Sequence, residues 1–462
     1  MTVKNLRTAC ALCLLAAMAV ACAAQTSTSA PDARIQRAVA AVDAARLQST
    51  DLALVNFGTR HTLGTTLPAE KHAGILQARQ WIASELARTS QQCQGCLEVK
   101  QHSTVEGPAA RLPQPAELTT IYAVQKGTNP ESAKRVILLC AHYDTIAMAR
   151  MNDAEAPAPG ANDDGSGTSL VLEAARVLSR ERFPVTIVYA LFPGEEQGLF
   201  GSKAFAKLAR SEGWQLEAVL SNDIVGGDNT RDQHNLARVF SEGIPATLAA
   251  DDGDRTTLRR LRLLGAELDS PSRQIARFIA TEAPAYLPAA SVQPKLVFRQ
   301  DRFLRGGDHT SFNELGFAAV RITEYAENYD HQHQLPRVEN GVEYGDLVKF
   351  VDYAYLAGVT RLNVAAAALL ASAPAAPAEV KLVTRELVNS STLHWKPSPD
   401  GRAAGYELLL RDTTAPGWEK IIPAGTQLQL TVPDSKDNVI YGVRAYDQDG
   451  HRSLVVMPAP ER

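Results

Sequence analysis

Between Arg135 and Gly201 the chain spells strand, loop, helix, strand, loop, and both loops carry ionisable residues. The run RVILLCA ends on His142 and, two residues on, Asp144. The loop GANDDGSG sets Asp163 and Asp164 just ahead of an apolar helix, and VTIVYALFPG runs into Glu195 and Glu196. Apolar runs this continuous belong to strands covered on both faces, which means a parallel sheet clad by helices. In such a sheet only the strand ends open to solvent, so side chains delivered at the carboxyl ends mark where a site can form. The fold class is therefore α/β, with a mixed, mostly parallel sheet flanked by helices.

The flanking sequence supplies the rest of the layer. Leu170, Val171, Ala174, Val177 and Leu178 recur with helical period from about Gly167 to Arg180, and Ile75, Ala78, Ile82 and Leu86 do so between Glu70 and Arg88. LEVKQHSTV and LTTIYAVQKG alternate as antiparallel edge strands. A further buried strand, Ala218 to Ser221, ends on Asn222 and Asp223. From Gly226 to Arg305 the pattern loosens into loops and helical excursions. Ala318 to Ile322 returns to the sheet and leads to YAENYDHQHQLP, and an alanine- and leucine-rich helix from Tyr344 to Ser372 closes the domain.

A chain of 462 residues exceeds one average domain. Residues 31–372 form the α/β unit, 373–379 (APAAPAE) a proline-bearing spacer, and 380–462 about seven short alternating segments, the pattern of an all-β sandwich. Trp395, Tyr406 and Tyr441 at their strand positions resemble a fibronectin type III module, with packing or contact to a surface or partner as its role. Residues 1–24 read as a signal peptide, with Lys4 and Arg7 ahead of an apolar run from Ala9 to Val20 that is too short for a membrane span. Cleavage near Ala23 to Ala24 and lipidation of Cys22 both fit, so export to the periplasm, the outside or the outer membrane as a lipoprotein is expected. Cys93 and Cys96, in a polar loop of an exported chain, fit a local disulfide, and Cys140 a core position. A net charge of −4 offers no field for a phosphate backbone, which argues against nucleic acid as a partner.

His142, Asp163, Glu196, Asp223 and a late histidine offer imidazole nitrogen and carboxylate oxygen without thiolate, a donor set suited to catalytic zinc. Taken singly, each acid is more simply a cap or a turn residue, and Asp163-Asp164 is a good helix cap. In order, the motifs say more. His142-Tyr143-Asp144, Gly160 to Gly167, Glu195-Glu196 and Asn222 to Gly226 resemble the co-catalytic double-zinc exopeptidases of the bacterial leucyl aminopeptidase type. That family also contains glutamate carboxypeptidase, glutaminyl cyclase relatives and the transferrin receptor ectodomain. The likeness spans roughly Asp51 to Ser372.

The resemblance implies a zinc exopeptidase fold and two zinc ions. Asp163 would bridge them, His142 and Asp223 complete one, and Glu196 with the late histidine the other. It also implies a cis peptide between Asp163 and Asp164. Glu195, next in sequence to a ligand, is then free to act as catalytic base, and Asp144 would orient the imidazole. The late histidine is read as His333, with Gln332 in the place of the family's tyrosine and His331 as the alternative; Tyr329 is the candidate for the missing hydroxyl. His309 is read as shaping the pocket floor and Glu324 as meeting a substrate α-amine, the plainer reading of each being packing or an exposed turn. His61 is read as a loop contact.

The implied activity is that of an exported aminopeptidase hydrolysing the N-terminal bond of peptides. A carboxypeptidase, a glutaminyl cyclase-like enzyme and a non-catalytic pseudo-peptidase are the rivals. A negative site margin, suited to an ammonium terminus, favours the first.

Overall fold

The computed structural model describes residues 31–68, 74–245, 247 and 255–461; the expected leader and Cys22 lie outside them. At its centre is an eight-stranded sheet of β1 (Glu98–Glu106), β2 (Ala116–Gln125), β3 (Arg135–His142), β4 (Thr186–Phe192), β5 (Gln215–Asn222), β6 (Leu236–Ser241), β7 (Gln293–Val297) and β8 (Ala319–Glu324). The order is β1-β2-β4-β3-β5-β8-β6-β7. The central strands β4, β3, β5 and β8 are parallel, while β1 and β2 form the antiparallel margin.

The helices are α1 (Ala33–Ala40), α2 (Ala44–Val55), α3 (Ile75–Gln92), α4 (Gly167–Leu178), α5 (Phe200–Ser211), α6 (Arg255–Leu264), α7 (Pro271–Glu282), α8 (Asp308–Asn313) and α9 (Tyr353–Ser372). From β3 the chain crosses through α4 to β4 on one side, then through α5 to β5 on the other. Right-handed crossovers in opposite directions place the two helices on opposite faces. Alternate residues of β3 record this: Ile137, Leu139 and Ala141 share a core with α4, whereas Val136, Leu138 and Cys140 share one with Phe205, Ala206 and Ala209 of α5. The strand order reverses at β3, and its carboxyl end is the crevice where an open α/β sheet places its ligands.

Two elements differ from the sequence reading. The loose region contributes β6 and β7, an edge whose half-buried QPKLV carries Pro294 and lacks a period-2 signal. The helix of α9 is long and apolar enough to cross a membrane by length and composition, yet most of it is buried against α1, α2 and α4, as a core helix. Cys93 and Cys96 form a disulfide at the end of α3, and Cys140 is buried and free.

The C-terminal strands β11 (Ala378–Val383), β12 (Ser391–Lys396), β13 (Gly405–Asp412), β14 (Lys420–Gly425), β15 (Gln429–Val432), β16 (Val439–Tyr446) and β17 (Ala459–Glu461) follow a small hairpin, β9 (Arg337–Glu339) with β10 (Val342–Tyr344). They make two sheets, β15-β12-β11-β17 and β14-β13-β16, over a separate core that includes Leu393, Trp395, Tyr406, Leu408 and Val443.

The connection to this unit is docked, unlike a free spacer. Ala373 and Ala375 are buried, the Ala375 amide donates to Asp400 at 2.8 Å, and Arg402 donates to the Ser372 and Ala373 carbonyls.

Candidate metal centre

The carboxyl ends of β3, β4 and β5 bring the charged loops of the sequence together. His142 ends β3 fully buried. Its Nδ1–H donates to the Asp144 carbonyl at 3.2 Å, which leaves Nε2 free to face Asp163 Oδ1 at 3.2 Å and Asp223 Oδ1 at 3.9 Å. The other oxygen of Asp163 lies 2.8 Å from His333 Nε2, which in turn is 3.0 Å from Glu196 Oε1. Asp163 therefore stands between two imidazoles, one carboxylate oxygen to each.

Whether such a set fits divalent cations can be tested on its unsatisfied atoms. Glu196 Oε1, Asp223 Oδ1 and His333 Nε2 are all buried without a hydrogen-bond partner. Buried polar atoms are normally paired, so unpaired atoms facing one space fit a divalent cation as their common partner. Hard oxygen with borderline nitrogen and no sulfur suits zinc.

His142, Asp164 and Asp223 also place ligand atoms within 4.8 Å of one another. The Asp164 oxygens, however, are committed to the backbone: Oδ1 accepts from Gly167 and Ile224, Oδ2 from His142. Asp164 ties three elements together and leaves metal-facing geometry to Asp163. The peptide bond between them is cis.

Several buried groups hold these side chains in place. Asp144 accepts from the backbone amides of both Glu195 and Glu196, at 3.2 Å each, and from the Thr62 hydroxyl; it thus fixes the loop as well as the imidazole. Asp346 accepts from the amides of Asn162 and Asp163 at 2.8 and 2.7 Å. Arg60, buried, donates to the carbonyls of Tyr143, Pro159 and Gly160, pinning the β3 end to the aspartate loop. His61 caps the short turn at Thr62–Thr66.

Arg321, buried on β8, lies 3.0 Å from Asp223 Oδ2 and 3.2 Å from Asp301. Burial raises the Asp223 pKa, but Arg321 and His142 together outweigh it and hold the carboxyl below its usual range. Glu195 moves the other way: burial pushes its pKa well up, against the pull of His142, with Asp223 and Glu196 adding to the rise.

Asp164 was visible in the sequence only as a helix cap. Arg321 announces itself as the one cation in the fully buried strand AVRITE; Asp346 and Arg60 leave no comparable signal.

The late loop separates its two histidines. His333 enters the cluster, whereas His331 turns away, bonded to Asp228 and stacked on Phe350 with ring centroids 3.6 Å apart. Gln332 donates to Asp163 Oδ2 at 2.9 Å. Two other expectations need correction. Tyr329 is 62% exposed and lies outside the cavity lining, because the turn that carries it is spent on aiming His333. Glu324 is buried, not in an exposed turn, and accepts from Asn162 and the Gly227 amide, so it braces the aspartate loop. His309 takes its plainer reading, packing: it is buried, bonds the Gln300 carbonyl at 2.9 Å and forms no part of the cavity lining.

A cavity of about 580 Å³ opens on the cluster; Asp163, Glu195, Glu196, Asp223 and His333 line it, and so do Arg111, Arg302, Leu304 and Arg305. The expected negative margin is not found: apart from those acids and His333, the charged residues of the lining are arginines.

A mostly parallel sheet with this cluster at its switch point defines the class as a zinc-type metallopeptidase of the α/β kind. A sequence profile of Peptidase family M28 matches residues 120–335. The chain is 40% identical over 433 residues to a protein of Pyrenophora tritici-repentis named "Probable zinc metalloprotease", covering 93% of this chain and 88% of that one. A protein of the same description in Leptosphaeria maculans is 40% identical over 438 residues, covering 93% and 98%. This chain belongs to peptidase family M28. Its fold is also similar to that of the Legionella pneumophila LapA aminopeptidase, with a TM-score of 0.51 at 19% identity over 74% of this chain and 76% of that one.

Proposed function

We propose that this metallopeptidase is an exported aminopeptidase working with two zinc ions. The observation that carries the reading is Asp163 set between His142 and His333, with Glu196, Asp223 and His333 presenting unpaired buried atoms to the same space. One ion would be held by His142, Asp163 and Asp223, the other by Asp163, Glu196 and His333. Bound there, two ions polarise a scissile carbonyl and lower the pKa of a water.

The remaining work falls to the chain. Glu195 lines the cavity while Asp144 fixes its backbone. Its carboxylate accepts the proton of the attacking water and returns it to the departing amine. Gln332, bonded to Asp163, holds that carboxylate in line with both imidazoles. The fold shared with an aminopeptidase supports the placement of the cleft; the cleavage of N-terminal residues is our reading. The arginines of the lining favour one rival, a carboxypeptidase, in which they would meet the terminal carboxylate.

The test is metal content per chain together with turnover of aminoacyl anilides, N-blocked peptides with free C-termini, and N-terminal glutamine peptides, with and without chelator. Anilide turnover abolished by chelator and restored by zinc is the expected result. For Glu195→Gln, kcat falls by about 10²–10⁴-fold with both ions retained. Wild-type activity in that variant would remove Glu195 as the base.

A further inference from the structure

We infer that the arginine-bearing part of the cleft lining, Arg111, Arg302 and Arg305, is an anion subsite, and that preferred substrates carry a carboxylate next to the scissile bond. The inference rests on the peptidase reading above and specifies its substrate class.

The charge accounting starts from four guanidiniums. Arg238, Arg302 and Arg305 converge on one buried carboxylate, Glu327, at 2.6, 3.0 and 3.4 Å. Arg302 and Arg321 share a second, Asp301, at 3.1 and 3.2 Å. Four cations thus stand on two carboxylates. The further contact of Arg321 is to Asp223, whose charge faces the metal space. Arg111, in the same lining, donates to the Glu196 carbonyl at 3.2 Å and has no carboxylate partner among the described residues. Beyond the metal-facing acids, the cavity is lined by no carboxylate at all.

The surplus is also placed where a ligand can use it. Arg302 is nearly buried, held on both sides by Asp301 and Glu327, and serves as a fixed backstop. Arg305, with 37% of its side chain exposed, shares an already crowded Glu327 and has donors to spare. Arg111 is exposed and lines the same cavity. Leu304, 92% exposed, sits between Arg302 and Arg305 and lines the same cavity, giving an aliphatic stem a surface. A planar fork of donors in a partly desolvated cleft is suited to a carboxylate, and a cavity of this charge repels a lysine or arginine side chain. The carboxylate has two sources, an acidic side chain flanking the scissile bond or the free C-terminus of a very short peptide.

The experiment uses zinc-loaded full-length protein and matched peptides bearing glutamate or glutamine on either side of the scissile bond, each as free acid and as C-terminal amide. If a side chain supplies the anion, glutamate exceeds glutamine in kcat/KM by about tenfold or more within the amide pair, in keeping with a charged hydrogen bond. If the terminus supplies it, the acid exceeds the amide within the glutamine pair. In Arg305→Gln and Arg111→Gln the preference shrinks, mostly through KM, and in Arg305→Glu it turns toward lysine. Raising the salt concentration narrows the wild-type gap.

Equal rates across the whole peptide panel, or a preference that survives the double variant Arg111→Gln/Arg305→Gln, would overturn the subsite. Should no peptide be hydrolysed, the activity reading fails by itself. The subsite is then judged by calorimetry of the glutamate and glutamine peptides on zinc-loaded Glu195→Gln protein, where equal affinities sink it.

Discussion

Asp51 shows how a buried charge couples to the centre without touching it. It sits under the aspartate loop, its Oδ2 accepting from the Tyr353 hydroxyl at 2.6 Å. A Cβ on Gly165 would come within 2.3 Å of its other oxygen, so the two are in close contact. Burial pushes its pKa up to about 8, against the opposing pulls of Tyr353 and Arg60. Its folded value lies above the unfolded one of about 3.9. The folded state therefore holds this proton more tightly, and the resulting stability is complete below about pH 4 and drains away as the pH rises toward 8. Asp51→Asn removes the titration while keeping the shape. Its melting temperature should exceed that of the wild type by a margin that opens between pH 4 and pH 8; parallel curves across that window would refute the assignment. The same scale separates what could be read early from what could not. His142, Asp163, Glu196 and Asp223 stood out because each follows or precedes an apolar run at a predictable strand end. Tyr329 and Glu324 did not resolve, since which way a turn residue points depends on what packs over it.

At the scale of elements, α4 is the piece that makes the site rigid. Its first residue, Gly167, admits no side chain: a Cβ there would lie 2.5 Å from both Asp164 oxygens and 2.6 Å from the Asn222 carbonyl. The helix start is thereby pressed against the end of β5, and Thr168 adds a hydrogen bond to the His142 carbonyl at 2.8 Å. Gly167→Ala is expected to cost about 1–3 kcal/mol, the usual effect of overpacking. Urea unfolding would read it as a lower midpoint with unchanged slope, and an unaltered midpoint would show that the contact gives way freely. The strands that feed the site were legible as long apolar runs. The far edge was not, because an edge strand such as β7 is half-buried and its pattern fades with its burial.

The whole molecule is two folded units joined by buried charge. Asp269, nearly fully buried, receives both nitrogen forks of a clamp: Arg411 of the sandwich at 2.7 and 2.8 Å, and Arg277 of α7 at 2.9 Å. Both guanidiniums lie 5.8 Å from the Trp418 ring. Burial draws the Arg277 pKa down to about 10, with Asp269 resisting. Arg444 with Glu282 and His451 with Asp32 extend the seam. Removing one partner of a buried pair strands the other charge, so Asp269→Ala should destabilise the protein by about 3–5 kcal/mol. Hydrogen exchange should then show the strands of residues 378–461 opening apart from the α/β unit. A single melting transition at the wild-type temperature would mean that the seam contributes nothing.

The sequence by itself determined the periodicities, and with them the central strands, the helices that cover them and the short list of acids and histidines at strand ends. Burial on two faces leaves a continuous apolar run, and a metal-type donor cannot be hidden among such residues. Only the tertiary structure decided which late histidine joins Asp163, that Asp346, Arg60 and Arg321 support the centre, and that arginines share the cleft lining with the acids. Those outcomes depend on residues far apart in the chain meeting in space. Arg111, Arg302 and Arg305 look like ordinary solvated charges until the fold brings them around one cavity.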